Sequence, residues 1–495
     1  MTPLDMTFTL QHSLQGLTAV LGLGIIYLIG IAIYNVYFHP LANYPGPKWC
    51  AISRGPFLWA LINGEQTRNV AKLHRIYGDV VRIAPNELSY TNPTAWKDVY
   101  ANRQGKPEMG KYLIVYNKHQ GNQIAIADRI DHSRFRKNLS YGFSDTSLRD
   151  QEPLLMSYVN LLLQRIEQAS SGGEKAIDMC EWYNYTTFDI IGHLTFGESF
   201  DCLAKNTLHP WVALIMNSFR LGAYMQALRY IPFSTHIASF LVSSERIQKK
   251  KMHDQLTVEK VKARVAVEDD RKDFLDRILK KGDEGFSFQE LVSHSSVLIV
   301  AGSETTASAL SGITFNLLSN PSTLAKLIAE VRGAFKSDDE INGLQVAQLK
   351  YLQACITEGL RMFPPAPVGF PRVVPEGGDI IAGKWVPGGM VVNVSQLATF
   401  RSAQNFRNPD SFVPERFLGD EMYAEDSTIA LNPFSLGPRN CIGKNLAYAE
   451  MRLIIAKIIW NFDMQLVTGK DWPEQKSYMV WEKKPLMIKF TKVIR

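Results

Sequence analysis

Hydrophobic and polar positions divide this chain into three regimes. In the first, no Asp, Glu, Lys or Arg occurs between Asp5 and Lys48, and residues 17–38 read LTAVLGLGIIYLIGIAIYNVYF, with only Thr18 and Asn35 clearly polar. A run of that length spans a hydrocarbon core of ~30 Å as one helix. Tyr27, Tyr34 and Tyr37 gather towards its exit, where interfacial aromatics are common. The rival is a cleaved signal peptide, which wants a basic leader, a shorter apolar core and a small-residue cleavage site; here an acid comes first and the core is oversized. The second regime, His39-Pro40-Leu41-Ala42-Asn43-Tyr44-Pro45-Gly46-Pro47, is a turn-rich hinge whose prolines stop the helix and stiffen its exit. The third shows no repeat, low-complexity tract or second linker. Long amphipathic or apolar stretches dominate it, among them 157–168, 292–318 and 446–462, while strand-like pieces at 80–83, 379–381 and 390–394 are short. The pattern predicts a lumenal tail (1–16), a transmembrane anchor (17–38), a hinge (39–48) and one mainly α domain with small β-sheets (49–495).

Composition narrows the class. The 495 residues are 46% hydrophobic and 21% charged, ordinary globular usage that excludes disordered, collagenous and disulfide-scaffold chains. Lys and Arg number 54 against 48 Asp and Glu, a net +6. No basic block is long enough for a nucleic-acid arm, so the surplus suits an acidic protein partner or an anionic membrane surface, with no nucleic acid. Lys48, Arg54 and Arg68 follow the span while Asp5 precedes it, so the positive-inside rule places the bulk of the chain in the cytosol. The sequons at Asn138, Asn184 and Asn393 would then never meet glycosylation machinery. Cys50, Cys180, Cys202, Cys355 and Cys441 are odd in number and scattered, as expected of reduced thiols.

The most informative stretch is Phe434-Ser435-Leu436-Gly437-Pro438-Arg439-Asn440-Cys441-Ile442-Gly443, which runs into a helix beginning near Lys444. Two glycines let backbone N–H groups turn towards the sulfur, the helix N-terminus adds positive potential, and Arg439 adds a cation. Together these hold Cys441 as a thiolate, the metal-ligating form. The plainer reading is a buried structural cysteine. Zinc lacks a second cysteine or histidine at ligand spacing, whereas a lone thiolate among cations suits haem iron. Elsewhere, Glu358 and Arg361 stand at i, i+3, by itself a solvated helix-surface pair. Residues 297–306, VLIVAGSETT, lie in an apolar helix whose spacing puts His294, Val297, Leu298, Ala301, Thr305 and Ser308 on one stripe. The plainer reading of its hydroxyls is back-bonding to a carbonyl four residues earlier.

The cysteine stretch resembles the haem-binding loop of cytochrome P450, Phe-x-x-Gly-x-Arg-x-Cys-x-Gly, and Phe434, Gly437, Arg439, Cys441 and Gly443 fill every fixed place. Such a match arises by chance in on the order of one in ten thousand chains of this length. The resemblance implies the P450 fold, haem b (iron protoporphyrin IX) held by Cys441 between a proximal loop and a long distal helix, and electrons from a separate NADPH-cytochrome P450 reductase docking near Lys137 and Lys444. It implies that Glu358, Arg361 and Arg416 form a buried ionic network behind the loop. Ala301-Gly302 would open a groove over the iron, and Glu304 with Thr305 would relay protons to bound O2. His132, standing where tryptophan is usual, together with Arg136 and Arg372, would meet the haem propionates.

Tyr44-Pro45-Gly46-Pro47-Lys48, the run 81–89 (VRIAPNELS), the run 105–109 (GKPEM) and the run 371–378 (PRVVPEGG) resemble the fungal group that includes isotrichodermin hydroxylases. Its members act on terpenoids, polyketides and peptide-derived metabolites. The expected function is therefore monooxygenation, foremost hydroxylation, of a lipophilic secondary metabolite at the endoplasmic reticulum membrane. The mostly apolar stretch 211–241 is expected either at the pocket mouth, dipping into the membrane, or in ordinary core. Epoxidation, desaturation or oxidative coupling would use the same oxidant. A membrane-anchored haem- or lipid-binding protein without oxygen chemistry is the remote alternative; it has no need of both Glu304 and Thr305 in an apolar stripe.

Overall fold

The computed structural model describes residues 3–116, 122–231, 234, 244–267, 273–281 and 285–494. Ser287 opens the central helix, Phe288–Ser319, with a capping box: its hydroxyl accepts from the Glu290 N–H, and the Glu290 carboxylate accepts from the Ser287 N–H. Two donors of the first turn are thereby satisfied. The helix is apolar on most sides, so it has to be covered on most sides. Helices Met179–Phe196, Lys350–Met362 and Lys444–Asn461 pack around it. The approach is close: a Cβ added at Gly312 would lie 2.6 Å from Phe363, and one at Gly359 would lie 2.4 Å from Ile313. Small residues at the crossing set the separation of the two helices.

Four small sheets flank this helical body. The largest runs Val80–Ala84, Glu87–Tyr90, Val391–Val394, Arg372–Val373, Gly110–Lys111. All its pairs are antiparallel except Glu87–Tyr90 with Val391–Val394. Ala176–Asp178, Met487–Lys492 and Phe462–Leu466 form a second sheet; Asp379–Ile381 with Lys384–Val386, and Lys476–Tyr478 with Val480–Glu482, are hairpins. The elements expected at 292–318, 446–462, 80–83, 379–381 and 390–394 all occur, within a few residues. The stretch 157–168 is the second half of a longer helix, Asp145–Ser170, whose polar first turns and interior Pro153 conceal its start. Of the stretch 211–241, helix Pro210–Arg229 buries Trp211, Val212, Ala223 and Ala227; residues 232–233 and 235–243 lie outside the described residues.

The N-terminal helix is largely exposed over Leu14–Phe38, with Asn35 buried, and is long and apolar enough to cross a membrane. Its last turn widens to a π turn, Tyr34–Phe38, closed by the His39 N–H on the Tyr34 carbonyl. Asn35 Nδ2 donates to the Ile52 carbonyl at 3.3 Å. Arg82, 2% exposed, donates Nη1 to the Asn35 carbonyl at 2.8 Å and Nε and Nη2 to the Pro85 carbonyl. A guanidinium at a helix C-terminus complements the dipole there. The Arg82 N–H also donates to the Pro45 carbonyl at 2.7 Å. Helix end, hinge and first strand are thus strapped together.

Two buried histidines lie in this frame. His74 places Nδ1 2.8 Å from the Gly78 carbonyl and Nε2 2.9 Å from Ser89 Oγ. His294 Nε2 accepts from the Ile124 N–H, so its Nδ1 carries the proton and donates to the Glu290 carbonyl. Burial pushes both down to about 4. Each is then neutral when folded and protonated when unfolded between that value and ~6.5. Stability is therefore fully present above pH ~6.5 and falls as the pH drops, by roughly 3 kcal/mol per histidine at pH ~4. Denaturant titrations across that window are expected to show the decline, and His294→Asn is expected to flatten it.

Candidate active site

Two backbone turns shape the loop that carries Cys441. Ser435, at φ +60°, donates its N–H to the Asn432 carbonyl. Gly437 has φ +78°, and a Cβ there would lie 2.1 Å from the Tyr100 carbonyl oxygen, so both conformation and space require glycine. The Cys441 N–H returns to the Phe434 carbonyl at 2.9 Å, closing the loop. The Phe434 ring, 5.1 Å from that of Tyr448, tethers it to helix Lys444–Asn461. Cys441 is the only exposed cysteine among the described residues. Burial by protein atoms pushes its thiol up; the Gly443 N–H, Arg136 and Lys444 pull it down without cancelling that rise. One expectation changes here. The cations beside the sulfur are Arg136 and Lys444, whereas Arg439 is held by Glu108 and the Ala127 carbonyl.

Basic side chains crowd one edge of this loop. Arg136 clamps Asn440 through Nη1 to its carbonyl (2.6 Å) and Nη2 to its Oδ1 (2.5 Å). Buried Arg372 reaches the Tyr116 hydroxyl at 3.1 Å. Lys111 pairs across the sheet with Arg372 and donates to the Ala125 carbonyl. Burial, Arg439 and Arg372 push Lys111 down to about 7; burial, Arg439, Lys111, Arg136 and Arg372 push His132 down to about 3. Glu108 is the one acid that appears among these effects. Such a cluster is short of negative charge, and anionic groups bound there would relieve it.

Across the core, the central helix is partly open between Val292 and Thr305. Val297, Ala301 and Thr305, at intervals of four, are partly or fully exposed, as are Val292, Ser293, Ser296, Val300 and Gly302. The Thr305 hydroxyl donates to the Ala301 carbonyl at 2.6 Å. Gly302 backs onto Ile191, 2.6 Å from where a Cβ would stand. His294, Leu298 and Ser308, expected on the stripe, are buried instead. Glu304 is also buried, with Oε1 accepting from Lys483 Nζ and from Ser308 Oγ.

Behind the cysteine loop lies a salt-bridge network sealed from water. Arg361 donates Nε to Glu358 Oε2 (2.7 Å) and Nη2 to Oε1 (2.8 Å), and Arg416 Nε donates to the same Oε1 at 3.1 Å. Side chains of Glu358, Arg361 and Arg416 are each 0% exposed. Asp426 joins through Arg416 Nη1. The remaining Arg361 donors go to the carbonyls of Phe400, Pro409 and Ser411.

A family model for Cytochrome P450 matches residues 45–490. The chain belongs to the cytochrome P450 family. It is 44% identical over 485 residues to "Cytochrome P450 monooxygenase lcsI" of Purpureocillium lilacinum, covering 96% of this chain and 93% of that one. It is 44% identical over 482 residues to "Cytochrome P450 monooxygenase astA" of Talaromyces wortmannii, covering 96% of each. To the "Trichothecene C-15 hydroxylase" of Fusarium sporotrichioides it is 42% identical over 486 residues, covering 97% and 99%. The resemblance to fungal monooxygenases read from the sequence therefore holds, and this P450 is an oxidoreductase of the monooxygenase class.

The family implies haem iron, and the residues of this P450 fit it. No group of three or more His, Cys, Asp or Glu able to hold a metal occurs among the described residues, so a lone cysteine needs a cofactor that brings its own equatorial ligands. The Gly437 turn and the Gly443 N–H shape a seat for a sulfur ligand, and the cation cluster matches two carboxylates. Lys111, Glu108 and Asp426 escaped the sequence reading. No motif spacing marks them; Lys111 meets Arg372 only through strand register.

Two substitutions test this arrangement. Glu358→Ala leaves the buried Arg361 guanidinium without a carboxylate while Arg416 keeps Asp426, and is expected to cost about 3–5 kcal/mol in denaturant titration and to yield haem-free protein. Gly437→Ala forces a Cβ into the Tyr100 carbonyl and is expected to abolish the thiolate signature of the reduced carbon monoxide spectrum.

Proposed function

We propose that this P450 is a haem b-dependent monooxygenase that hydroxylates a lipophilic secondary metabolite, such as a terpenoid or polyketide. The observation that carries the reading is the seat of Cys441: one exposed sulfur in a glycine-shaped loop, beside a cation cluster that Glu108 only partly offsets. Haem bound there supplies the activation of O2. Cys441 would ligate the iron, steadied by the Gly443 N–H and Arg136. Arg372, His132, Lys111 and Arg439 would receive the propionates. On the facing helix Ala301 and Val297 offer apolar contact, which suits an oily substrate, and Thr305 Oγ1 holds a proton donor at its open part. Glu304 would be the acid that replenishes it. The trichothecene hydroxylase among the relatives supports hydroxylation and a terpenoid-like substrate.

Placement follows from the N-terminal helix. In this reading residues 17–38 anchor the enzyme in the endoplasmic reticulum membrane after a short lumenal segment (1–16), residues 39–48 leave the membrane, and residues 49–495 work in the cytosol. The sequon residues Asn138, Asn184 and Asn393 are all buried, which suits a domain that meets no glycosylation machinery. NADPH-cytochrome P450 reductase would dock where Lys137 and Lys444 are exposed, on the side of the cysteine loop.

Mass spectrometry of metabolites from a host expressing this chain with a reductase, against Cys441→Ala, tests the reaction. A product one oxygen heavier than its precursor is expected; one lighter by two hydrogens, or a dimer, would replace hydroxylation by desaturation or coupling. Thr305→Ala is expected to keep haem and consume NADPH while releasing hydrogen peroxide in place of product. Unchanged coupling in that variant would assign the proton route elsewhere.

A further inference from the structure

Glu108 is an acid set among cations that otherwise suit an acid from outside the chain. Its Oε1 accepts from Nε of Arg439, and the two side chains are 24% and 11% exposed. Arg439 gives Nη1 to the Ala127 carbonyl at 3.0 Å, which leaves Nη2 without a partner among the described residues. Burial, Arg439 and Arg372 push Lys111 down, and Glu108 is the one group that opposes them. Arg439, Lys111, Arg136 and Arg372 all bear on His132, which burial and their fields hold neutral. Four cations and one acid leave three positive charges at this edge of the cysteine loop, one more than the two propionates of haem b would cancel. Without Glu108 the excess would be larger by one.

Stability does not explain this acid. An ion pair with that much water contact contributes little, and the segment on which Glu108 stands is fixed by other means. Arg103 and Lys106 both bind the carboxylate of Asp379, on the hairpin strand Asp379–Ile381, Lys106 at 2.6 Å. Met109 is buried, and Gly110 and Lys111 pair in register with Val373 and Arg372. The cysteine loop has a separate hold on the same stretch, since Gly437 packs against the Tyr100 carbonyl. Arg439, for its part, is steadied by Ala127. An acid in that place also opposes the capture of any anion, because like charges repel. Its effect is on the strength of the cluster's field, not on the shape of the seat.

We propose that Glu108 is a positioning residue that acts through Arg439, as a built-in counter-charge that loosens the hold on the haem propionates and lowers the potential at which the iron accepts an electron. The inference rests on the haem reading above. By taking Nε of Arg439, Glu108 leaves fewer donors of that guanidinium for a propionate. The step it bears on is a one-electron reduction, ferric to ferrous, with the electron supplied by the reductase and no bond made or broken in the protein. A carboxylate close to a metal centre disfavours the added electron, and net charge and hydrogen bonding around the cofactor are the protein's levers on its potential.

Two variants decide it. Glu108→Gln removes the charge and keeps the shape, whereas Glu108→Asp keeps the charge. Mediated spectroelectrochemical titration of the substrate-free, haem-loaded protein reads the potential, and transfer of haem to excess apomyoglobin reads its rate of loss; neither needs a substrate. Glu108→Gln is expected to raise the potential and to slow haem loss roughly two- to fivefold, the scale of one partly exposed charge pair. Both shifts are expected to shrink as salt is raised, because such charges are screened. Glu108→Asp is expected to stay near wild type in both measurements. An unmoved potential in Glu108→Gln would overturn the inference, as would values for Glu108→Asp equal to those for Glu108→Gln. Faster haem loss from Glu108→Gln, or failure to retain haem at all, would also overturn it, by showing that the acid steadies the seat instead of opposing it. A wild-type chain that takes up no haem would defeat the haem reading and the inference together; a haem-loaded chain whose potential ignores Glu108→Gln would defeat the inference alone.

Discussion

Two arginines and two acids without water contact hold the irregular segment that leads to Cys441. From Phe400 to Asp426 the chain has little regular structure, and regular structure is what ordinarily satisfies backbone carbonyls. Here the guanidiniums do so instead. Arg361 takes the carbonyls of Phe400, Pro409 and Ser411, and Arg416 takes that of Arg407. Burying such cations demands acids of equal number, and Glu358 and Asp426 supply them. The loop geometry at Gly437 and the placing of the sulfur then follow from a segment with no freedom to drift.

Charge is arranged differently on the two sides of the core. Behind the cysteine loop every buried cation meets its acid. Beside the loop the balance is withheld, with Lys111, Arg136, Arg372 and Arg439 set around His132 and only Glu108 to offset them. Under the proposed function this cluster is the seat of an anionic cofactor, whose binding would relieve the crowding of like charges.

Much of this was legible in the sequence, and what was not has identifiable causes. The long apolar periods at 292–318 and 446–462 announced their helices, and the spacing from Phe434 to Gly443 marked out the loop that carries Cys441, because both are local patterns. Helix Asp145–Ser170 was half hidden, since its exposed early turns carry charges that read as loop. The stripe on the central helix was drawn too wide. A helix covered on most sides has apolar residues at every angle, so periodicity cannot separate the face turned to a cavity from the face turned to a neighbour. His294 was therefore placed on the stripe, whereas it is a satisfied core histidine. Lys111, Asp426 and Lys483 depend on strand register and on contacts between distant segments, which no short window contains.

The strap at Asn35 and Arg82 bears on where the membrane part of this enzyme ends. By hydropathy the boundary falls at Phe38, yet the Asn35 carbonyl is already tied to the folded body, because Arg82 commits Nη1 to it and Nε and Nη2 to Pro85. In the anchored arrangement proposed above, the helix would be less a tether than a mast stepped into the hull, and the angle at which it leaves would fix how the body lies on the bilayer. A shortened chain designed for solubility and cut at the prolines would strand a buried guanidinium, while one begun a turn earlier would keep its seat filled.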